Sequence, residues 1–223
     1  MRPLRRPAIT PGPAMRGSDL LLAAWLAVSL LGAVAVPRAE AMTFSTVTRA
    51  DGLRIVRAEG PVANGDAERL RVALRTADRD PAGFKIMALD SPGGAIVEAF
   101  AMVDVMDREK VATVVQPGAT CASACAQVLF LSGGHRTIEG DGRLGLHACH
   151  TAGDRSRSVA CNELIAQNAT ARGTPYGSIM VFLHLTGPTQ MRWMGREEAH
   201  YLGFIRKPPE VAPSRDLQVR ASL

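Results

Sequence analysis

Residues 117–130, PGATCASACAQVLF, place one hydroxyl between two cysteines, where a Gly/Ala turn gives way to an apolar run. A serine in that setting, Ser123, is placed to attack a carbonyl if the chain supplies three further parts. These are a base for its proton, N–H groups for the oxyanion, and a group that orients the base. The run 122–132 reads as a mostly apolar helix. Its first turn has unpaired N–H groups and the positive end of its dipole at the serine. The N–H of Ala124 is then an oxyanion donor by position. A second loop, SPGG at 91–94, offers another, because Gly93 and Gly94 have no side chain to keep their backbone from a substrate carbonyl. On the plainer account Ser123 is a helix cap and SPGG a packing turn.

The base must be a histidine. Only three lysines exist, Lys85, Lys110 and Lys207, and none follows the serine in an element that would face it. Of five histidines, His147 ends the apolar run RLGLH, 24 residues beyond Ser123. His150 is the near alternative, while His135, His184 and His200 lie in less suggestive settings.

These loops need elements to hold them. Strands are expected at 52–60, 81–90 and 111–116, with shorter ones in HRTIEG and GRLGLHA. Helices are expected at 64–78, with Asp66 as cap and Leu70, Val72, Leu74 and Ala77 on its pattern, and at 95–110, with Ile96, Val97, Phe100, Val103 and Met106 at helical spacing. Further helical patterns fall near 157–169, 176–186 and 195–203. Strand–helix alternation argues an α/β fold with parallel strands, and sites in such folds form at the carboxyl ends of strands. Both SPGG and GATCAS lie at such ends.

The N-terminus is a targeting segment. It carries Arg2, Arg5, Arg6 and Arg16, then an uncharged apolar stretch from Leu20 to Val36, then Ala39-Glu40-Ala41. That order predicts a signal peptide over 1–41, cleaved after Ala41, or else an uncleaved membrane anchor. Residues 1–41 hold five arginines against Asp19 and Glu40, a net of +3 out of the chain's +5. The remainder is therefore near +2, with scattered charge and few aromatics, which excludes a nucleic-acid footprint. One domain over 42–206 and an unstructured tail over 207–223 are expected. Four cysteines in an exported chain suggest disulfides. Three pairings are open; the favoured one joins Cys149 to Cys161, closing a polar loop, and Cys121 to Cys125, clamping the turn around Ser123. The histidines near Cys149 fit no zinc spacing, so no metal is implied.

LDSPGGAIVEA, GATCASACAQVLFLSGG and RLGLH, in that order and spacing, resemble the ClpP-like serine peptidases of the ClpP/crotonase superfamily. The closest likeness is to exported members with a C-A-S-A-C serine segment, and it covers about Arg54 to Ile205. It implies a ClpP/crotonase-like spiral of repeated β-β-α units with mostly parallel strands. It also implies Ser123 as nucleophile, His147 as general base and the N–H groups of Gly94 and Ala124 as oxyanion hole, with Gly93 beside the substrate. A peptide or unfolded segment as substrate and self-association follow from the same likeness, as does the absence of any organic cofactor. An exported protein has no ATP supply, so no ATP-driven unfolding partner is expected.

The family pattern fails at one place. Its third catalytic residue, an aspartate shortly before the last helix, corresponds to GPTQ at 187–190, and no aspartate lies between Asp154 and Asp216. Asp154 from another loop, Thr189, Gln190, Asn168 or a backbone carbonyl is left to orient His147. The sequence therefore favours an exported hydrolase, periplasmic or held at the outer face of the inner membrane by its N-terminal segment. A catalytically inactive binding or scaffolding module that has lost the aspartate is the alternative.

Overall fold

A computed structural model describes residues 41–151 and 156–208. The expected signal or anchor segment lies outside these residues, as do Asp154 and the tail from 209. Among the described residues no helix is long and apolar enough to cross a membrane.

The chain enters through β1 (Thr43–Thr48), an edge strand paired antiparallel with β2 (Arg54–Glu59). Beyond β2 the strands run parallel: β3 (Lys85–Asp90), β4 (Val111–Val115) and β6 (Arg136–Ile138) complete a five-stranded sheet in the order β1-β2-β3-β4-β6. Strands β3 and β4 read as nearly unbroken apolar runs because both of their faces are covered. Ile55, Ile86, Ala88, Ala112 and Val114 point to one face, and Val56, Met87 and Val115 join the main core on the other.

A second sheet, β5 (Thr120–Ala122), β7 (Arg143–Leu146) and β8 (Arg192–Met194), stands beside the first. Single parallel bridges, Val62 with Gly94 and Ser91 with Cys121, extend its pattern back along the chain. Four successive units thus place a strand in the large sheet, an extended segment in or near the small one, and then a helical segment. They run β2, Val62 and α1 (Asp66–Ala73); β3, 91–94 and α2 (Ile96–Glu109); β4, β5 and the turns 125–132; β6, β7 and α3 (Val159–Ala171). This is the expected spiral of β-β-α units. Helices α4 (Tyr176–Leu185) and α5 (Arg196–Tyr201) close the domain.

Several local expectations need correction. Gly65, in the left-handed conformation, is the N-cap of α1, and Asp66 is its first helical residue. The buried Asp66 carboxylate instead accepts the Ala63 N–H (2.6 Å) and pairs with Arg69. Leu70 and Leu74, four apart, are buried, but Val72 lies round the helix from them and is exposed, as is Val97 on α2. The run 122–132 is not a regular helix: a π-helical turn (Cys125–Leu129) passes into a 3₁₀ turn (Phe130–Ser132). Sequence reading missed β1, β5 and β8.

Candidate active site

Strands β5 and β7 are parallel neighbours in a register that sets Ala122 opposite Gly145. The residues that follow them, Ser123 and His147, therefore emerge at the same edge, as carboxyl-end sites do. Ser123 leaves its strand with φ 54°, in the left-handed region that favours glycine. Its N–H donates to the Gly145 carbonyl at 2.9 Å, which ties the turn to the strand that carries the histidine. The Ser123 hydroxyl lies 2.8 Å from His147 Nε2.

The other face of that imidazole decides its tautomer. His147 Nδ1 lies 2.8 Å from the Ala148 carbonyl oxygen. A carbonyl only accepts, so Nδ1 carries the proton and Nε2 offers its lone pair to the serine hydroxyl. The orienting partner is thus a backbone carbonyl, one of the alternatives left open by the sequence. Asn168 instead donates to Ser132, and Gln190 accepts the Gly187 N–H within its own turn. Burial pushes the His147 pKa below the usual imidazole value; the Ala148 hydrogen bond opposes this, and neighbouring His150 adds to it. The ring is therefore neutral, and able to accept a proton, at neutral pH. A carboxylate–imidazole pair does exist, His135 with Asp80 at 2.7 Å, but it packs against Phe84, away from the serine.

The SPGG loop meets the serine turn directly. Ser91 bridges to Cys121: its N–H donates to the Thr120 carbonyl (2.8 Å) and its carbonyl accepts the Ala122 N–H (2.9 Å). The Ser91 hydroxyl accepts the Gly93 N–H at 3.1 Å. Gly93 is buried behind the turn; a Cβ there would stand 2.6 Å from the Ala122 oxygen and 2.7 Å from Ser123 Cβ. Gly94 is exposed and lines the same cavity as Ser123. The N–H groups of Gly94 and Ala124 donate to no backbone carbonyl among the described residues, which leaves both able to meet an oxyanion.

A cavity of about 100 Å³ opens over these groups. Ser123, Ala124, Gln127 and His147 line it together with Gly94, Ile96, Ile165, Cys149 and His150. Larger grooves of about 600 and 660 Å³ lie elsewhere, beside α5 and beside β1, without a nucleophile and base in contact. Two disulfides frame the site as the favoured pairing has it: Cys121–Cys125 brackets Ser123, and Cys149–Cys161 closes the loop after His147.

No family model matches the chain, and no curated protein matches it. Among solved structures, the ClpP protease catalytic domain from Plasmodium falciparum matches with a TM-score of 0.52 at 17% identity, over 70% of this chain and 85% of that one. The fold is ClpP-like. At that identity the likeness concerns architecture, and function must be argued from the site.

Within the ClpP-like fold the sequence located the serine, the histidine and both glycines of one cluster. It missed Gln127, whose amide reaches the His147 backbone, and Gly145, where a Cβ would strike Met191 and Trp193. Gln127 had a signal: it is the lone amide in an apolar run, four residues after the serine.

Proposed function

We propose that the protein is an exported serine hydrolase, a peptidase that works through an acyl-enzyme on Ser123. The observation that carries this is the Ser123–His147 contact at 2.8 Å, made by a serine in left-handed backbone at the mouth of a cavity. Ser123 Oγ attacks the substrate carbonyl while His147 Nε2 takes its proton. The N–H groups of Gly94 and Ala124 receive the oxyanion, each such donor contributing about 3 kcal/mol to the transition state. Gly93 supports them by letting its loop approach the serine turn. His147 then protonates the leaving amine, and a water activated by the same nitrogen releases the acyl group.

The Ala148 carbonyl holds the imidazole in the working tautomer but is neutral, so it stabilises the imidazolium less than an aspartate would. Slow turnover is expected. Peptides or unfolded segments fit as substrates, with a small apolar side chain between Ile96 and Ile165. Self-association is compatible with this reading. Two disulfides support an oxidising compartment, and residues 1–41, as a signal peptide or an anchor, would deliver the domain to the periplasm.

The test is incubation of the domain from residue 42 with p-nitrophenyl esters of short acyl-peptides. The expected outcome is a burst of nitrophenol and an acyl adduct on Ser123 by mass. Release at the rate of the Ser123→Ala protein contradicts the proposal and leaves a binding module on the same fold.

A further inference from the structure

Gln127 is the only side chain between Cys125 and Leu131 with nitrogen or oxygen atoms to pair, and it is 2% exposed. Its N–H donates to the Ser123 carbonyl at 2.9 Å. Its side chain turns to the other half of the site: Nε2 donates to the His147 carbonyl at 2.9 Å, and Oε1 accepts the His147 N–H at 3.4 Å. A single residue is thus fastened to the nucleophile by its backbone and to the base by its amide.

A second buried amide works on the next peptide. Asn162, 3% exposed, accepts the Cys149 N–H with Oδ1 at 2.8 Å and donates to the Leu183 carbonyl at 3.4 Å. Two successive peptide planes are consequently held on both sides. In the plane joining 147 to 148, Gln127 holds the C=O while the Thr186 carbonyl accepts the Ala148 N–H at 3.1 Å. In the plane joining 148 to 149, the C=O accepts from His147 Nδ1 while Asn162 holds the N–H. That matters because a backbone carbonyl orients a ring only if its own peptide cannot turn. A rotated 148–149 plane would withdraw the acceptor and permit the tautomer with a proton on Nε2, which cannot take the serine proton.

We propose that Gln127 and Asn162 are positioning residues that, through these clamped peptides, supply the orientation of His147 that a carboxylate supplies in a Ser-His-Asp triad. This rests on the hydrolase reading of the site. Small displacements of a reacting group carry large consequences, about 10²-fold for 1 Å.

The experiment measures the rate of fluorophosphonate labelling at Ser123 against pH. It uses the wild-type domain, Gln127→Leu, Asn162→Leu and Asn162→Asp, each shown to keep both disulfides by mass and its fold by circular dichroism. Both leucine variants are expected to label about 10²-fold more slowly. Asn162→Asp still accepts the Cys149 N–H, so it should recover most of the rate, with a pH midpoint moved upward by the added negative charge. Nitrogen-15 NMR of His147 provides the second readout: the wild type should hold the proton on Nδ1. Leucine variants that label at the wild-type rate and midpoint overturn the inference while the hydrolase reading stands; a wild-type ring protonated on Nε2 removes both, since that nitrogen could not take the serine proton. If a leucine variant does not fold, the aspartate variant and the wild-type NMR decide. A wild-type protein that never labels removes the hydrolase reading, and the inference with it.

Discussion

Lys110 and Ser123 are the two residues other than glycine with positive φ among the described residues, and both stand at 54°. Lys110 ends α2: exposed, it sits at the C-cap with its N–H turned back to the Asp107 and Met106 carbonyls. A left-handed residue there is an ordinary way to stop a helix, and glycine would serve better. Ser123 occupies the same backbone region between a strand and a buried π-turn, with its hydroxyl on an imidazole and a cavity in front. The conformation costs about 1 kcal/mol in either place. At Lys110 it ends the helix and turns the chain into β4, where the Lys110 carbonyl accepts the Lys85 N–H at 3.0 Å; at Ser123 it aims the candidate nucleophile at its base. Backbone strain marks a site only when chemistry surrounds it.

The comparison breaks most severely at Gly93. Gly93→Ala forces a Cβ into the Ala122 carbonyl, at φ +88°, with no flexible side chain to give way. A loss of at least ~3 kcal/mol is expected, read from the urea midpoint, together with loss of labelling at Ser123. Wild-type stability in this variant would mean that the two loops are not packed as described.

The disulfides sharpen the contrast between holding the fold and holding the site. Cys149–Cys161 spans 12 residues and Cys121–Cys125 only 4. Loop-closure entropy then gives roughly 3 kcal/mol for the first and roughly 2 for the second. Replacing each pair by alanines should therefore lower stability more at 149/161, yet slow labelling of Ser123 more at 121/125, where the bridge brackets the serine. Equal labelling in the 121/125 variant and the wild type would separate the bridge from reactivity.

The smallest effects come from glycine itself. Lys110→Gly and Ser123→Gly should each gain up to ~1 kcal/mol by thermal unfolding, relative to alanine at the same position. The first leaves the site's reactivity intact and the second abolishes it. If Ser123→Gly brings no gain over Ser123→Ala, the serine turn is unstrained and its likeness to Lys110 is only apparent.

Much of the site was legible because it depends on strand ends. SPGG breaks the apolar run 81–90, GATCAS follows the run 111–116 and His147 ends RLGLH, so each candidate residue stands where a readable strand stops. What was hidden follows from the physics of each element. Strand β1 is mostly exposed on both faces, so it has no apolar alternation to read, and β5 and β8 have three residues each. The π-turn is buried on every side, so its apolar run has no period to separate it from a regular helix. The partner of His147 could not be found by residue type, because every residue carries a carbonyl; only the clamps on the 147–149 peptides single out this one.

The most direct test is labelling of the oxidised domain from residue 42 with a fluorophosphonate, followed across pH and located by mass, beside His147→Ala. The structure predicts an adduct on Ser123 that the histidine variant loses by several orders of magnitude. Because burial lowers the His147 pKa, the neutral, proton-accepting ring persists below the ordinary imidazole value of about 6.5, and labelling should fall only under more acid conditions. No adduct on the folded wild type, or an adduct indifferent to His147→Ala, would contradict it.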